Sequence, residues 1–276
     1  MMFNIAKVLA DIEADSDQNI DLLVDLLKIK SISTIPDYAD ECYQAAGWLK
    51  AFLDSFGMDA IIYESEGHPI VFSNYQTSRP EAKTILFYGH YDVQPVDPIS
   101  LWDSDPFDPV LSSIDNEPCI IARGASDDKG QLLTFLIALK YIKDEVGELP
   151  FCLKIILEGE EECGSKTLPI FLEDYKDKLS ADIAYVCDTG MWDKDTPAIT
   201  RSLRGLLSEE FKIIGPDRDL HSGEFGGVAW NPIRIITKIL SDVYDDEGKV
   251  TIPNFYDGVN EVNESIINTW KKLTFN

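Results

Sequence analysis

The sequence is poor in basic residues: its 276 residues include 24 Lys and Arg against 49 Asp and Glu, a formal net charge of −25. This deficit argues against nucleic acid or an anionic membrane as a partner and favours cationic ligands, including metal ions. Long apolar runs are also missing, since no stretch approaches the roughly 20 residues of a membrane-spanning helix. The N-terminus lacks the apolar region of a signal peptide, so we expect none. Apolar residues still form 45% of the chain, enough for a sizeable core.

Cysteine is sparse and scattered. The five cysteines are odd in number and form no CxxC pair of the kind that suggests a zinc knuckle. We therefore expect reduced, mostly buried thiols in a cytoplasmic protein rather than a disulfide framework. Histidine is scarcer still, with three residues, His68, His90 and His221.

The chain is organised around residues 151–165. The first half is an Ile- and Leu-rich run that predicts a buried strand, and it is followed by four carboxylates, Glu158, Glu160, Glu161 and Glu162. A strand that ends in a carboxylate cluster at a turn is where α/β proteins place chemistry. Two adjacent carboxylates can divide the work, one binding a metal and one moving a proton. The alternative is a solvated acidic loop, as expected in so acidic a chain.

Three further predicted strand ends carry polar groups. The strand over 84–89 delivers His90 and Asp92, which lie on one side of an extended chain as residues i and i+2. A short strand at 119–124 leads to Asp127 and Asp128, and a strand at 181–186 leads to Asp188. Each group alone has an ordinary alternative, such as a histidine satisfied by a local carboxylate or an aspartate capping a helix. Their recurrence at the carboxyl ends of successive strands predicts one site.

The alternation of strands and helices predicts an α/β fold with a mostly parallel sheet flanked by helices. We expect helices over 4–29, 37–55, 131–146 and 168–175, strands near 60–63 and 70–74, and a long loop over 94–118. After a polar linker at 191–199, the alternation at 206–214 predicts a half-exposed antiparallel strand. Asn231 then caps a helix over 232–243, and a helical tail covers 264–273. The sequence thus predicts two domains, 1–198 and an α+β domain over 199–276.

A histidine and several carboxylates at one sheet edge suit a two-metal site, in which the ions lie about 3.5–4 Å apart. Oxygen donors with few nitrogens and no thiolate favour Zn, Mn or Co over a structural zinc site.

Five motifs in order carry a family resemblance. They are YGHYDVQP (88–95), ARGASDDKG (122–130), EGEEECGS (158–165), CD (187–188) and DLHSGEFGG (219–227), with IPNFYD (252–257) as a weaker sixth. The chain resembles the M20 metallopeptidases over residues 15–275, and within them the cytosolic dipeptidase branch of carnosine and nonspecific dipeptidases. The resemblance implies a zinc-exopeptidase-like catalytic domain, the first part of a lid and dimerisation domain, a small peptide substrate and a homodimer formed through the lid.

The resemblance also implies a set of metal ligands. His90 binds one of two divalent ions, zinc or manganese with cobalt as a further option, and Asp127 bridges both. Glu162 and Asp188 bind opposite metals.

Three further residues receive catalytic roles from the resemblance. Asp92 is the acidic partner that orients His90, and Glu161 is the general base toward a metal-activated water. His221, in the lid, reaches the substrate and stabilises the oxyanion.

The chain departs from the family pattern after His221. The family lid continues further and returns to the catalytic sheet with a second metal-binding histidine, and no histidine follows His221 here. We therefore expect an N-terminal part of a longer enzyme; the alternatives are a remainder encoded as a second chain, or an inactive remnant. Two other functions stay open, an N-acyl-amino-acid deacylase and a non-enzymatic half of an assembly. The form of the DLHSGEFGG motif favours dipeptides.

Overall fold

The structure is a computed structural model that describes residues 4–200 and 202–273, and it divides into two units. Unit 1 ends at Arg201 and unit 2 begins at Ser202. The identities of the two units as catalytic and lid domains stay predictions.

A five-stranded sheet is the centre of unit 1. Its strands are β1 Ile61–Tyr63, β2 Ile70–Tyr75, β3 Thr84–His90, β6 Cys152–Glu158 and β7 Ile183–Val186. They lie in the order β1-β2-β6-β3-β7. The α/β class is confirmed, but the sheet is mixed: β6, β3 and β7 run parallel, whereas β2 is antiparallel to both β1 and β6. The short connection between β1 and β2 can join only antiparallel neighbours.

Helices cover both faces of this sheet. The predicted helix over 4–29 is two helices that meet at Asp15, and the others agree with their predictions to within a few residues. Among helices of the described ranges, none combines the length and apolarity that crossing a lipid bilayer requires. The helices of unit 1 are α1 Ile5–Ala14, α2 Ser16–Leu27, α3 Ala39–Ser55, α4 Lys129–Val146, α5 Leu168–Asp174 and α6 Lys176–Leu179.

Strand β6 is buried along all seven residues because both of its faces are covered. On one face Ile155 and Leu157 belong to the main core with Phe87 and with apolar residues of α3 and α4. On the other face Ile156 packs with Phe171 of α5. Burial on both faces is the reason the strand reads as a continuous apolar run.

Residues 94–118 contain a strand that the sequence-based loop prediction missed. Strands β4 Val110–Ile114 and β5 Glu117–Ile121 form a separate two-stranded sheet. Asp115 and Asn116 between them have φ of 53° and 67°, the left-handed values of a tight hairpin turn. The strand before Asp127 therefore lies outside the main sheet, so only the other three predicted strand ends share its edge.

Unit 2 contains α7 Ser222–Phe225, α8 Pro232–Asp242 and α9 Glu264–Trp270. The cap of α8 is confirmed, since the Asn231 side chain accepts a hydrogen bond from the Ile233 amide. The predicted strand over 206–214 is wrong: these residues have no regular secondary structure. A strand requires a hydrogen-bonding partner, and within 202–273 the only β-pairing is an isolated bridge between Tyr244 and Val250.

Candidate metal centre

The carboxyl ends of three parallel strands place the candidate site. Strand β3 ends at His90, directly opposite Glu158 at the end of β6, and Asp188 follows β7 by two residues. The carboxyl edge of parallel strands is where α/β sheets hold their ligands. Asp127 reaches this edge from the loop that leads into α4.

His90 is fully buried and its two ring nitrogens have different partners. Nδ1 lies 3.1 Å from the carbonyl oxygen of Asp92 and 3.4 Å from its Oδ1, so Nδ1 is the nitrogen that donates. Nε2 lies 3.0 Å from Asp127 Oδ1 and 3.8 Å from Asp188 Oδ2. A histidine held through Nδ1 by a neighbouring oxygen presents Nε2 as its ligand atom. Asp92 thus contacts the His90 ring, and its role in orienting that ring stays a prediction.

Ligand atoms of His90, Asp127 and Asp188 all lie within 4.8 Å of one another. Two donors on one zinc ion, each about 2.0–2.2 Å from it, lie up to about 4.4 Å apart. The separations of His90 Nε2 from Asp127 Oδ1 and from Asp188 Oδ2, 3.0 and 3.8 Å, are below that limit and suit a divalent cation. In the described part of the chain the ion pairs of Asp127 and Asp188 are with His90 alone. The three residues fit a bound metal by donor type, by spacing and by uncompensated negative charge.

The electrostatics of His90 show that excess of negative charge. Burial works to lower the pKa of His90, but the carboxylates of Asp92, Asp128 and Asp188 outweigh it and raise that pKa to about 10. Asp128 is also buried, and burial raises its pKa to about 7. Its Oδ2 accepts a hydrogen bond from the His90 amide at 3.1 Å, while Oδ1 has no partner in the described residues. Cations are therefore favoured at this edge of the sheet.

Asp92 connects the histidine to the acidic loop. Its Oδ1 accepts from the Glu161 amide at 3.2 Å and its Oδ2 accepts from the Glu162 amide at 3.1 Å. The Glu162 carboxylate itself accepts from Gln94 Nε2 at 2.8 Å, outside the group of three donors. Its role as a ligand stays a prediction. Burial raises the pKa of Glu161, and the charges of Glu162 and Asp188 add to that rise against the opposing effect of His90.

The other two carboxylates of the acidic loop have structural partners. Glu158 is buried and accepts hydrogen bonds from the hydroxyls of Tyr88 and Ser165, the latter at 3.0 Å. Glu160 accepts from the Thr167 amide at 2.8 Å and from the His68 amide at 3.2 Å. Of the four, Glu161 and Glu162 are thus the pair that can serve chemistry.

His221 lies in unit 2, where its Nδ1 accepts from the Gly223 amide at 3.1 Å. The residue is exposed and lines a cavity of about 560 Å³ together with Arg218, Trp230 and Arg234. Its predicted contact with substrate stays a prediction.

Sequence reasoning missed two side chains that hold the site. Gln131 accepts from the Thr189 amide at 2.9 Å and so fixes the backbone next to Asp188. Lys129 is fully buried, and its Nζ donates to carbonyls at the end of α2. Lys129 lies within the DDKG motif and Gln131 follows it directly, and this position was the available signal.

An α/β sheet whose carboxyl edge brings one histidine together with several carboxylates is typical of a metal-binding α/β protein. The model of peptidase family M20/M25/M40 matches residues 86–269, and the chain belongs to that family.

Curated relatives agree with this family. The chain is 35% identical to human Beta-Ala-His dipeptidase over 198 residues, which is 71% of this chain and 38% of the relative. It is also 35% identical over 196 residues to the Cys-Gly metallodipeptidase dug1 of Schizosaccharomyces pombe, covering 70% and 40%. The chain therefore spans about two fifths of the length of these relatives.

Solved structures show the same fold. An M20 family metallo-carboxypeptidase, Sso-CP2 of Sulfolobus solfataricus, aligns with a TM-score of 0.74 at 33% identity, covering 94% of this chain and 57% of that one. Human carnosine dipeptidase 1 aligns with a TM-score of 0.72 at 28% identity, covering 98% and 59%.

Proposed function

We propose that this chain carries the metal centre of an enzyme that hydrolyses dipeptides in a metal-dependent reaction, with Glu161 as the general base. The observation that carries the proposal is the position of Asp92. Its carbonyl and carboxylate orient His90, and its two carboxylate oxygens hold the amides of Glu161 and Glu162. One residue therefore joins a metal donor to Glu161 and Glu162, the two carboxylates to which we assign chemistry.

The residues divide into holding and proton-transfer roles. His90, Asp127 and Asp188 would hold divalent metal, with Glu162 as a further ligand; we propose two ions, zinc or manganese, with cobalt as an alternative. When bound, such ions supply Lewis-acid chemistry, lowering the pKa of water and polarising a carbonyl. Glu161 accepts the proton of the water whose oxygen attacks the peptide carbonyl carbon. It then donates that proton to the leaving amine nitrogen as the C–N bond breaks, giving a free carboxylate and a free amine.

Two relatives support dipeptides as the substrate class, since their names specify Beta-Ala-His and Cys-Gly. Both names describe peptides of two residues. We propose the same class here, with β-Ala-His and Cys-Gly as the first substrates to assay.

The test replaces Glu161 by Gln in the full chain. We expect Glu161→Gln to bind as much Mn²⁺ as the wild type but to lose about 10²- to 10⁴-fold in turnover, since the amide cannot accept a proton. Glu173→Gln, at an exposed position of α5, is the matched control and should show wild-type Mn²⁺ binding and wild-type turnover. Unchanged turnover in Glu161→Gln would remove it from the base role. A Mn²⁺-loaded wild type that cleaves neither dipeptide would overturn the proposal.

Three wider features are proposals of the same kind. His221 would stabilise the oxyanion of the substrate, and His221→Ala should then lower kcat without changing metal binding.

Residues 199–276 would form a homodimer interface. The exposed Ile233 and Leu240 on α8 support this proposal. A monomeric mass near 31.0 kDa in solution would contradict it.

A cytoplasmic location is supported by five free cysteines, and fractionation of the source cells tests it.

A further inference from the structure

Lys129 is the most deeply buried lysine of the described residues and forms no ion pair with a carboxylate among them. It is the first residue of α4, two residues after Asp127, and its side chain is 0% exposed. Its Nζ donates to the carbonyl oxygens of Ile29 at 2.7 Å and Leu26 at 3.2 Å. Leu26 lies in the last turn of α2 and Ile29 lies just beyond its end, and each carbonyl also accepts a backbone amide, from Ile29 at 3.3 Å and from Ser31 at 2.9 Å. Burying an ammonium group is costly unless such partners are present, so the contact requires an explanation.

The segment that receives Lys129 also binds the exit of β3. Ser31 Oγ donates to the Tyr91 carbonyl at 2.7 Å, and the Ser31 carbonyl accepts from the Val93 amide at 2.9 Å. Ile32 pairs with Val93 in an isolated parallel bridge. Residues 26–32, which we call the anchor segment, therefore contact both chain stretches that supply metal donors. One stretch carries His90 and the other carries Asp127.

We propose that Lys129 is a positioning residue that sets the spacing between His90 and Asp127 through the anchor segment. Both stretches are hydrogen-bonded to the anchor segment. We attribute the 3.0 Å separation of His90 Nε2 and Asp127 Oδ1 to these two attachments. Lys129 contributes the attachment on the Asp127 side, and Ser31 contributes the one on the His90 side. The inference rests on the proposed function only in taking His90 and Asp127 as metal donors.

The chain offers a matched control for this lysine. Lys154 on β6 is 8% exposed, and its Nζ donates to the Ser180 carbonyl at 2.5 Å. It is thus a second buried lysine bonded to a backbone oxygen, and its partner precedes β7 at the opposite end of that strand from Asp188. Replacement by Met keeps the apolar stem of either lysine and removes its donors.

The experiment measures Mn²⁺ binding to the full chain by the loss of the free-Mn²⁺ EPR signal. We expect Lys129→Met to weaken Mn²⁺ affinity by about 10- to 100-fold, the range found when an outer partner of a metal ligand is lost. Lys154→Met should keep the wild-type affinity although both variants lower the thermal midpoint. Ser31→Ala, which leaves the core intact, should weaken affinity as well, by less than Lys129→Met.

Several outcomes would overturn the inference. It fails if Lys129→Met folds and binds Mn²⁺ as the wild type does, or if Lys154→Met weakens binding equally, which indicates general destabilisation. If Lys129→Met does not fold, Ser31→Ala decides, and unchanged affinity in that variant rejects the inference. A wild type that binds no Mn²⁺ would overturn the metal centre itself. If the wild type binds Mn²⁺ and Lys129→Met binds it with the same affinity, the positioning role alone is rejected.

Discussion

Units 1 and 2 differ in burial although the same sequence signals run through both. Unit 1 contains a continuous core on both faces of its sheet, whereas none of residues 202–273 is buried. Trp230 and Ile233 of unit 2 are 73% and 70% exposed, and Phe87 of unit 1 is fully buried. The difference shows that amphipathic periodicity predicts an element, while burial depends on what the rest of the chain places against it.

The two units also differ in which predicted elements form. Helices α8 and α9 appear where caps and periodicity predict them, because a helix satisfies its own backbone hydrogen bonds. The alternating run at 206–214 forms no strand, while β3 and β7 form because each pairs with a neighbour. Local signals are sufficient for helices, and strands depend on partners.

The largest expected effect is on the core of unit 1. Phe87→Ala removes a fully buried ring that stacks on Phe135 at 3.8 Å between centroids, so the free energy of unfolding should fall by about 3–5 kcal/mol. Trp230→Ala in unit 2 removes an even larger side chain, but its exposure limits the expected loss to about 0.5 kcal/mol. Urea denaturation of both variants measures the two values. Equal losses of unfolding free energy in the two variants would contradict the difference in burial between the units.

A smaller effect is expected at a glycine beside the acidic loop. In Gly67→Ala the added Cβ would lie 1.8 Å from Glu160 Oε1 and 2.8 Å from Thr167 Oγ1. Glu160 is held by the His68 and Thr167 amides, so it cannot move aside without losing a hydrogen bond. Overpacking of this kind costs about 1–3 kcal/mol in unfolding free energy. Turnover should also fall, because Glu161 and Glu162 follow Glu160 directly.

Gly47 provides the control for that substitution. It lies within α3 and an added Cβ meets nothing within 4 Å, so Gly47→Ala should stabilise unit 1 by about 0.5–1 kcal/mol. Thermal melts and turnover of both variants would separate a general effect of Gly→Ala from the close approach at Gly67. Gly67→Ala with wild-type stability and turnover would show that the acidic loop does not depend on Glu160.

Much of the placement of the candidate site follows from sequence. His90, Asp92 and Asp188 lie at or just beyond the ends of parallel strands, as the pattern of apolar runs ending in polar groups predicts. The role of each carboxylate in 158–162 could not be predicted, since the partners of Glu158 and Glu160 come from Tyr88 and His68, far away in the chain. Lys129 carries no local signal of burial at all, because its acceptors lie about a hundred residues earlier.

The smallest expected effect concerns the cap of α8 in unit 2. Asn231→Ala removes the side-chain oxygen that accepts from the Ile233 amide at 2.9 Å, and loss of such a cap costs about 1 kcal/mol of helix stability. Because α8 has no buried residue to add tertiary stability, that loss should appear almost entirely as faster hydrogen exchange of amides in 233–242. Amides of β6, buried along their whole length, serve as the reference in the same molecule and should keep their protection. Unchanged exchange in α8 would mean that something other than its cap stabilises this helix, and its exposed apolar face is where that contact would lie.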